Sequence, residues 1–82
     1  MIYKLLGIEI DINTTANNVY GSNLVRVVNT GNSNTVLLQK YANGTTYASA
    51  SLVGGNEMVV EKQKDDLLIG SNMRATPIAF RY

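Results

Sequence analysis

Two pairs of neighbouring carboxylates, Glu9 with Asp11 and Asp65 with Asp66, are the only acidic groupings that could begin a reactive centre, and neither His nor Cys occurs in the chain. Glu9 and Asp11 stand two residues apart on one face of an extended segment, a spacing that could start a cation site. A hard divalent ion takes about six or more oxygen ligands, so the pair reads instead as a solvated outer face that discourages edge pairing. Asp65-Asp66 could be imagined as an acid–base or metal pair. With no His and no second acidic cluster assured beside it, it reads as a helix cap or a polar turn. The lack of Cys removes disulfides, thiolate nucleophiles and cysteine-type zinc sites together. Gly54-Gly55 is not followed by the Lys-Ser/Thr and helix that a phosphate-cradling loop requires, so it is a corner. Only Asp, Glu, Lys and Tyr remain for catalysis. The expectation is a non-enzymatic protein with no catalytic, metal or cofactor-binding residues, no cofactor and no small-molecule substrate.

Binding chemistry is equally sparse. Seven Lys and Arg against six Asp and Glu leave a formal charge of +1, too small a field to draw in nucleic acid or an anionic membrane surface. No run approaches the roughly 20 consecutive apolar residues of a membrane helix. The opening Met1 to Gly7 run is broken by Gly7, Glu9 and Asp11 and lacks a small-residue cleavage site, so a leading strand is expected rather than an export signal. Tyr41 and Tyr47 flank a turn and are expected to face one another as a cross-strand pair. A ligand-stacking platform would want a basic groove beside them, which the sequence does not supply.

Strand grammar dominates the elements that must carry these residues. Between Tyr3 and Ile12, Leu6, Ile8, Ile10 and Ile12 alternate with Gly7, Glu9 and Asp11, the pattern of a half-buried strand. Asn13 to Ser22 lacks periodicity and reads as a long loop with Val19 and Tyr20 as an apolar anchor. Asn23 to Leu52 reads as three consecutive strands forming a meander. Its first corner is Asn29 to Asn34, and its second is Asn43-Gly44, the signature of a type I′ hairpin turn. Leu24, Arg26 and Val28 oppose Val25 and Val27, so the first of these strands is expected to be central or covered on both sides. Arg26 is the polar exception, with either a rim ion pair or a partner contact open to it. Small residues from Ala48 to Ser51 would let another backbone come close. Glu57 to Lys62 reads as a further strand, and Asp65 or Asp66 could cap one helical turn through Leu68, closed by Gly70. Met73 to Tyr82 is the last strand. Pro77 cannot donate to a ladder, which puts this strand at an edge or Pro77 at a bulge or an outward position.

About six strands separated by Gly- and Asn-rich turns predict a single all-β domain over residues 1–82, a small antiparallel sandwich or barrel with little or no helix. A chain of this length buries only about 60–65% of its unfolded surface, and small folds without disulfides or metals gain stability by association. A homo-oligomer such as a trimer, or a place in a larger assembly, is the expectation. Candidate contact residues are Tyr20, Arg26, Leu67, Leu68, Phe80, Arg81 and Tyr82, the last three because an aromatic-rich end is expected to dock in the core or against a neighbour.

The ordered set Leu24-Val-Arg-Val-Val-Asn-Thr-Gly31, Tyr41-Ala-Asn-Gly-Thr-Thr-Tyr47, the Gly-Gly corner, Val59-Val-Glu-Lys62 and Met73-Arg-Ala-Thr-Pro-Ile-Ala79 resembles small virion structural proteins of tailed bacteriophages, especially marine cyanophages. The likeness spans residues 24 to 79. It implies a non-enzymatic β-domain made in the host cytoplasm and carried on the virion, as a capsid decoration or cement subunit bound to itself and to virion proteins such as the major capsid protein. A tail, spike-base or baseplate component, or a receptor- or carbohydrate-binding module, is the alternative. No appended fibre or receptor domain is present in the sequence, which favours attachment to a capsid or tail lattice.

Overall fold

The structure, a computed structural model, describes residues 2–81, with side chains over 2–80. It is all-β: β1 (Ile2–Leu5), β2 (Ile10–Asp11), β3 (Leu24–Asn29), β4 (Thr35–Lys40), β5 (Thr46–Leu52), β6 (Glu57–Glu61), β7 (Leu67–Ile69) and β8 (Met73–Arg81). No helix occurs among the described residues. The expected helical turn at Asp65–Leu68 is replaced by β7, whose three residues pair with β4. A lone apolar triplet gains more by adding to an open sheet edge than from an isolated turn, whose nucleation is unfavourable.

All strand pairs are antiparallel and fall in two sheets. One is five-stranded in the order β1-β8-β3-β6, with β2 also on β8; the other runs β5-β4-β7. Their facing sides enclose Ile12, Val19, Val25, Val27, Leu37, Leu52, Leu68, Met73 and Ala75, with Ile10, Met58 and Val60 packed against them. β3 is central, as its apolar residues on both faces imply, and it alternates Val25, Val27 and Asn29 inward.

The expected meander is only half present. β4 and β5 form a hairpin, but β3 pairs with β6 and β8 and the chain crosses to the opposite sheet at the Asn29–Asn34 corner. Asn29 decides this. Its fully buried side-chain amide donates to Ser33 O at 3.0 Å, Thr35 Oγ1 at 3.1 Å and Leu52 O at 2.9 Å, and its Oδ1 accepts from Gly31 N at 2.9 Å. Its backbone N–H donates to Asn56 O, and its carbonyl accepts from Gly55 N, each at 2.9 Å. One residue thus ties the ends of β3, β4, β5 and β6. Gly54 completes the junction by close approach: an added Cβ would stand 2.7 Å from Asn32 C and 2.8 Å from Gly31 O, distances that only glycine avoids.

The β4–β5 turn differs from the expected type I′. Gly44 alone takes positive φ, at 93°. Tyr41 O accepts from Gly44 N at 2.8 Å and Tyr41 N donates to Thr45 O at 2.9 Å, a type I turn closed by a glycine bulge. Asn43 keeps negative φ and uses Oδ1 to accept from Thr45 N at 2.9 Å.

Of the placements that Pro77 left open, the structure takes the bulge, on the neighbouring segment, and β8 is not an edge strand. It lies between β3 and the β1–β2 segment, with Val25 opposite Pro77. Leu6 N donates to Pro77 O at 2.9 Å and the segment then leaves the ladder. Leu6 to Glu9, four residues, span only Thr76 and Pro77 before pairing resumes at Ile10 and Ala75. Pro77 has no N–H to return, so the neighbour bulges away and the expected continuous strand becomes two. Replacing Asn29 by Ala strands Gly31 N–H and the Leu52 carbonyl in the core and is expected to lower stability by about 2–4 kcal/mol, read as a drop in the urea midpoint with an unchanged slope.

Candidate functional site

Side chains that leave the core gather into three groups. The first is an ion-pair ladder on the outer face of the five-stranded sheet. Arg26 of β3 reaches Glu57 of β6 through Nε and Glu9 through Nη1 at 3.8 Å, while Arg74 Nε of β8 donates to Glu9 Oε1 at 2.8 Å. The side chain of Arg26 is 30% exposed. Arg26 therefore takes the rim-pair role open to it in the sequence. Exposed pairs of this kind contribute about 0.2–1 kcal/mol each. Glu9 is spent on two arginines, and Asp11 accepts instead from Asn13 N at 2.7 Å. No three of His, Cys, Asp and Glu converge among the described residues.

The second group surrounds the tyrosine pair. A bulge at the β4–β5 register shift lets Tyr47 lie on Tyr41, ring centroids 4.1 Å apart and planes at 21°. Tyr47 Oη donates to Asp66 Oδ2 and accepts from Gln39 Nε2 at 2.7 Å. The hydrogen bond to Asp66, then desolvation and the carboxylate's charge, hold the phenol above its ordinary 10.0. Beside it the almost fully buried Lys62 donates from Nζ to the carbonyls of Gln63 at 3.1 Å and Lys64 at 3.2 Å. Desolvation pushes this amine below 10.5, with Asp66 and Asp65 opposing that shift. Gln39, Tyr47, Glu61, Lys62 and Gln63 line an open polar cleft of about 280 Å³. The hydroxyl and the Tyr47–Tyr41 contact faces are already engaged within the chain.

The third group is apolar and exposed. β8 pairs with β3 over Met73–Pro77 but with β1 over Ile78–Arg81, so a β1–β8 ribbon runs out past the shelter of the second sheet. All four β1 residues are exposed. Ile2, Leu5, Leu6 and Ile8 are each more than half exposed, and the partly exposed Tyr3 packs on Phe80, centroids 5.6 Å apart. Tyr20 joins them: a Cβ added to Gly7 would lie 3.0 Å from Pro77 Cγ and 3.5 Å from the Tyr20 ring.

Tyr20 owes its position to a left-handed turn. Val19, Tyr20 and Gly21 hold φ of 53°, 60° and 66°. Positive φ costs a β-branched or aromatic residue on the order of 1 kcal/mol or more. The surroundings hold it there: Val19 is fully buried, its N–H donates to Asn17 Oδ1 at 2.7 Å, and its carbonyl accepts from Ser22 Oγ at 2.7 Å. The long loop is thus a wall of the fold. Asn17 exchanges backbone bonds with Leu68 at 3.0 and 2.9 Å and covers the outer edge of β7.

Of the residues singled out in the sequence, Tyr20 is 62% exposed and lies in the apolar group with the half-buried Phe80. Arg26 belongs to the ion-pair ladder. Leu67 is half-buried, and Leu68 lies at full burial in the core, so it is no contact residue; β7 alternates and places its middle side chain inward. The side chain of Arg81 and all of Tyr82 lie outside the described residues. Leu5, Leu6 and Ile8 were missed, because alternation alone put Leu6 and Ile8 on the same buried face as Ile10 and Ile12. The one available signal was Pro77, which interrupts its neighbour's ladder from about 70 positions away in the chain.

The geometry defines an all-β protein of two facing sheets with a bare apolar ribbon. No protein-family model, curated protein or solved structure matches the chain.

Two outcomes are expected here. Because the folded phenol of Tyr47 titrates above its unfolded value, the stability that it contributes is complete below about pH 10 and disappears as the pH rises through the higher folded value; comparing the ultraviolet titration of the wild type with that of Asp66→Asn should show the Tyr47 phenol moving down toward its ordinary value in the variant. Tyr20→Asn, which eases positive φ, should hold or raise the melting temperature by a few degrees, a shift of roughly 0.5 kcal/mol, in a differential scanning measurement.

Proposed function

We propose that this chain is a structural, non-enzymatic subunit that works by binding protein surfaces, and that its setting is the virion of a tailed phage, as a decoration or cement subunit on the capsid lattice. One observation carries the association itself. Ile2, Tyr3, Leu5, Leu6, Ile8 and Tyr20 stand exposed together on and beside a ribbon that neither sheet covers. Large apolar side chains exposed in such number on one strand and the bulge beside it mark an interaction site. Among the described residues, Glu9, Arg26, Glu57 and Arg74 pair with one another in the ladder, and Tyr47, Gln39 and Asp66 bind one another.

The capsid setting draws on the ordered motifs of residues 24 to 79 and on thermodynamics. A subunit that binds only the assembled lattice shifts the equilibrium toward it by mass action. Its partners would be the major capsid protein and further copies of itself. Quantitative mass spectrometry of purified phage particles tests the setting: a decoration subunit should be present at on the order of hundreds of copies per symmetric shell. A handful of copies would place it at a vertex, neck or baseplate, and absence from particles would end the virion reading.

A further inference from the structure

The five-stranded sheet has two unpaired edges, β1 at one end and β6 at the other, and they are unlike each other. β1 carries Ile2, Tyr3, Lys4 and Leu5, apolar but for one cation. β6 carries Met58 and Val60 toward the core, and exposed Glu57 and Glu61 at its ends on the other face. Two copies of β6 would bring like charges together, as would two copies of β1 centred on Lys4. A β1 edge beside a β6 edge brings opposite charges together. Glu61 has no ion-pair partner among the described residues, whereas Glu57 is held by Arg26.

Shape agrees with charge. Beneath the free edge of β6 the two sheets part, leaving an open cavity of about 130 Å³ lined mainly by Leu37, Ala48, Ala50, Met58 and Val60. Small residues on β5 make the room. The space suits one or two large apolar side chains. The ribbon supplies them in Tyr3, which packs on Phe80 yet stays 41% exposed, and Leu5, which is 67% exposed.

We propose that the chain assembles with itself head to tail, β1 of one copy adding to the β6 edge of the next. In the register of the sheet Tyr3 and Leu5 share the outer face with Ile78 and Phe80, so β1 adds parallel to β6 with its own sheet turned over; Tyr3 and Leu5 then meet Met58 and Val60 and close the cavity, and Lys4 takes the face of Glu61. Main-chain hydrogen bonds along the edge supply affinity, and the side chains in the gap supply register. Because the two edges differ and each copy is turned over relative to the last, the contact is heterologous and repeats into an open filament. This deepens the reading of the chain as an assembling subunit and rests on it.

The test uses the full chain and two surface variants. Sedimentation of the wild type across a concentration series should show self-association. Tyr3→Lys with Leu5→Lys removes the inserting strand, and Ala50→Arg fills the gap; each alone should weaken association at least about tenfold. Mixed in equal amounts they should form a one-to-one heterodimer, because each retains the surface the other has lost. Glu61→Lys should weaken association, and Lys4→Glu added to it should restore part of the loss; these exposed positions serve if either bulky variant fails to give the circular dichroism spectrum of the wild type. A wild type that stays monomeric, an oligomer indifferent to Ala50→Arg, or a mixture without the heterodimer overturns the head-to-tail contact. None of those results bears on the copy number in particles, which judges the virion reading by itself.

Discussion

The amide of Asn29 is the constraint on which the rest of the architecture depends. It is a polar group at full burial, and it remains there because each of its atoms finds a partner in a different segment. A buried amide left unpaired is costly, whereas a satisfied one specifies a single arrangement of the chains around it. Here that arrangement forces β3 and β4 into opposite sheets, brings the end of β5 against the corner, and leaves Gly54 as the residue that can pass so close to Asn32. The apolar core of Val25, Val27, Leu37, Leu52 and their neighbours adds stability, but a non-directional effect does not choose among pairings.

A second constraint acts at the other end of the sheet. Pro77 sits in the interior of the longest strand, where a missing donor would ordinarily exclude it. The neighbouring segment accommodates it by bulging, and the bulge throws Leu6 and Ile8 outward while Ile10 and Ile12 turn in. Bulges re-aim side chains. In this protein the re-aimed side chains, with those of β1 and Tyr20, make up the apolar surface on which the proposed function rests. The strained left-handed turn at Val19 and Tyr20 has the same character: the core holds Val19, and the consequence appears at Tyr20 on the surface.

Polar chemistry plays a supporting part. The Glu9, Arg26, Arg74 and Glu57 ladder crosses the outer face of the five-stranded sheet from the bulge to β6. It stitches together strands that are distant in sequence. Tyr47, Asp66 and Gln39 do the same for the three-stranded sheet, linking the β4–β5 hairpin to the residue just before β7. Both clusters join segments that the chain brings together from far apart.

Local pattern settled a good deal about this chain. Period-two alternation marked β3, β4, β6 and β8, glycine with asparagine marked the corners, and the small residues of β5 and the tyrosine pair were visible as such. All of these follow from neighbours in sequence, which is why they could be read there. Partner choice was not legible: that β3 pairs with β6 and β8 rather than β4, that Leu67–Ile69 adds to β4 as a strand, and that Leu68 is core are outcomes of contacts between distant segments. The exposure of Leu6 and Ile8 was hidden for the same reason. Alternation tells that two faces exist, but only the folded neighbour, with Pro77 lacking an N–H where the ladder needed one, decides which residues stay on the buried face.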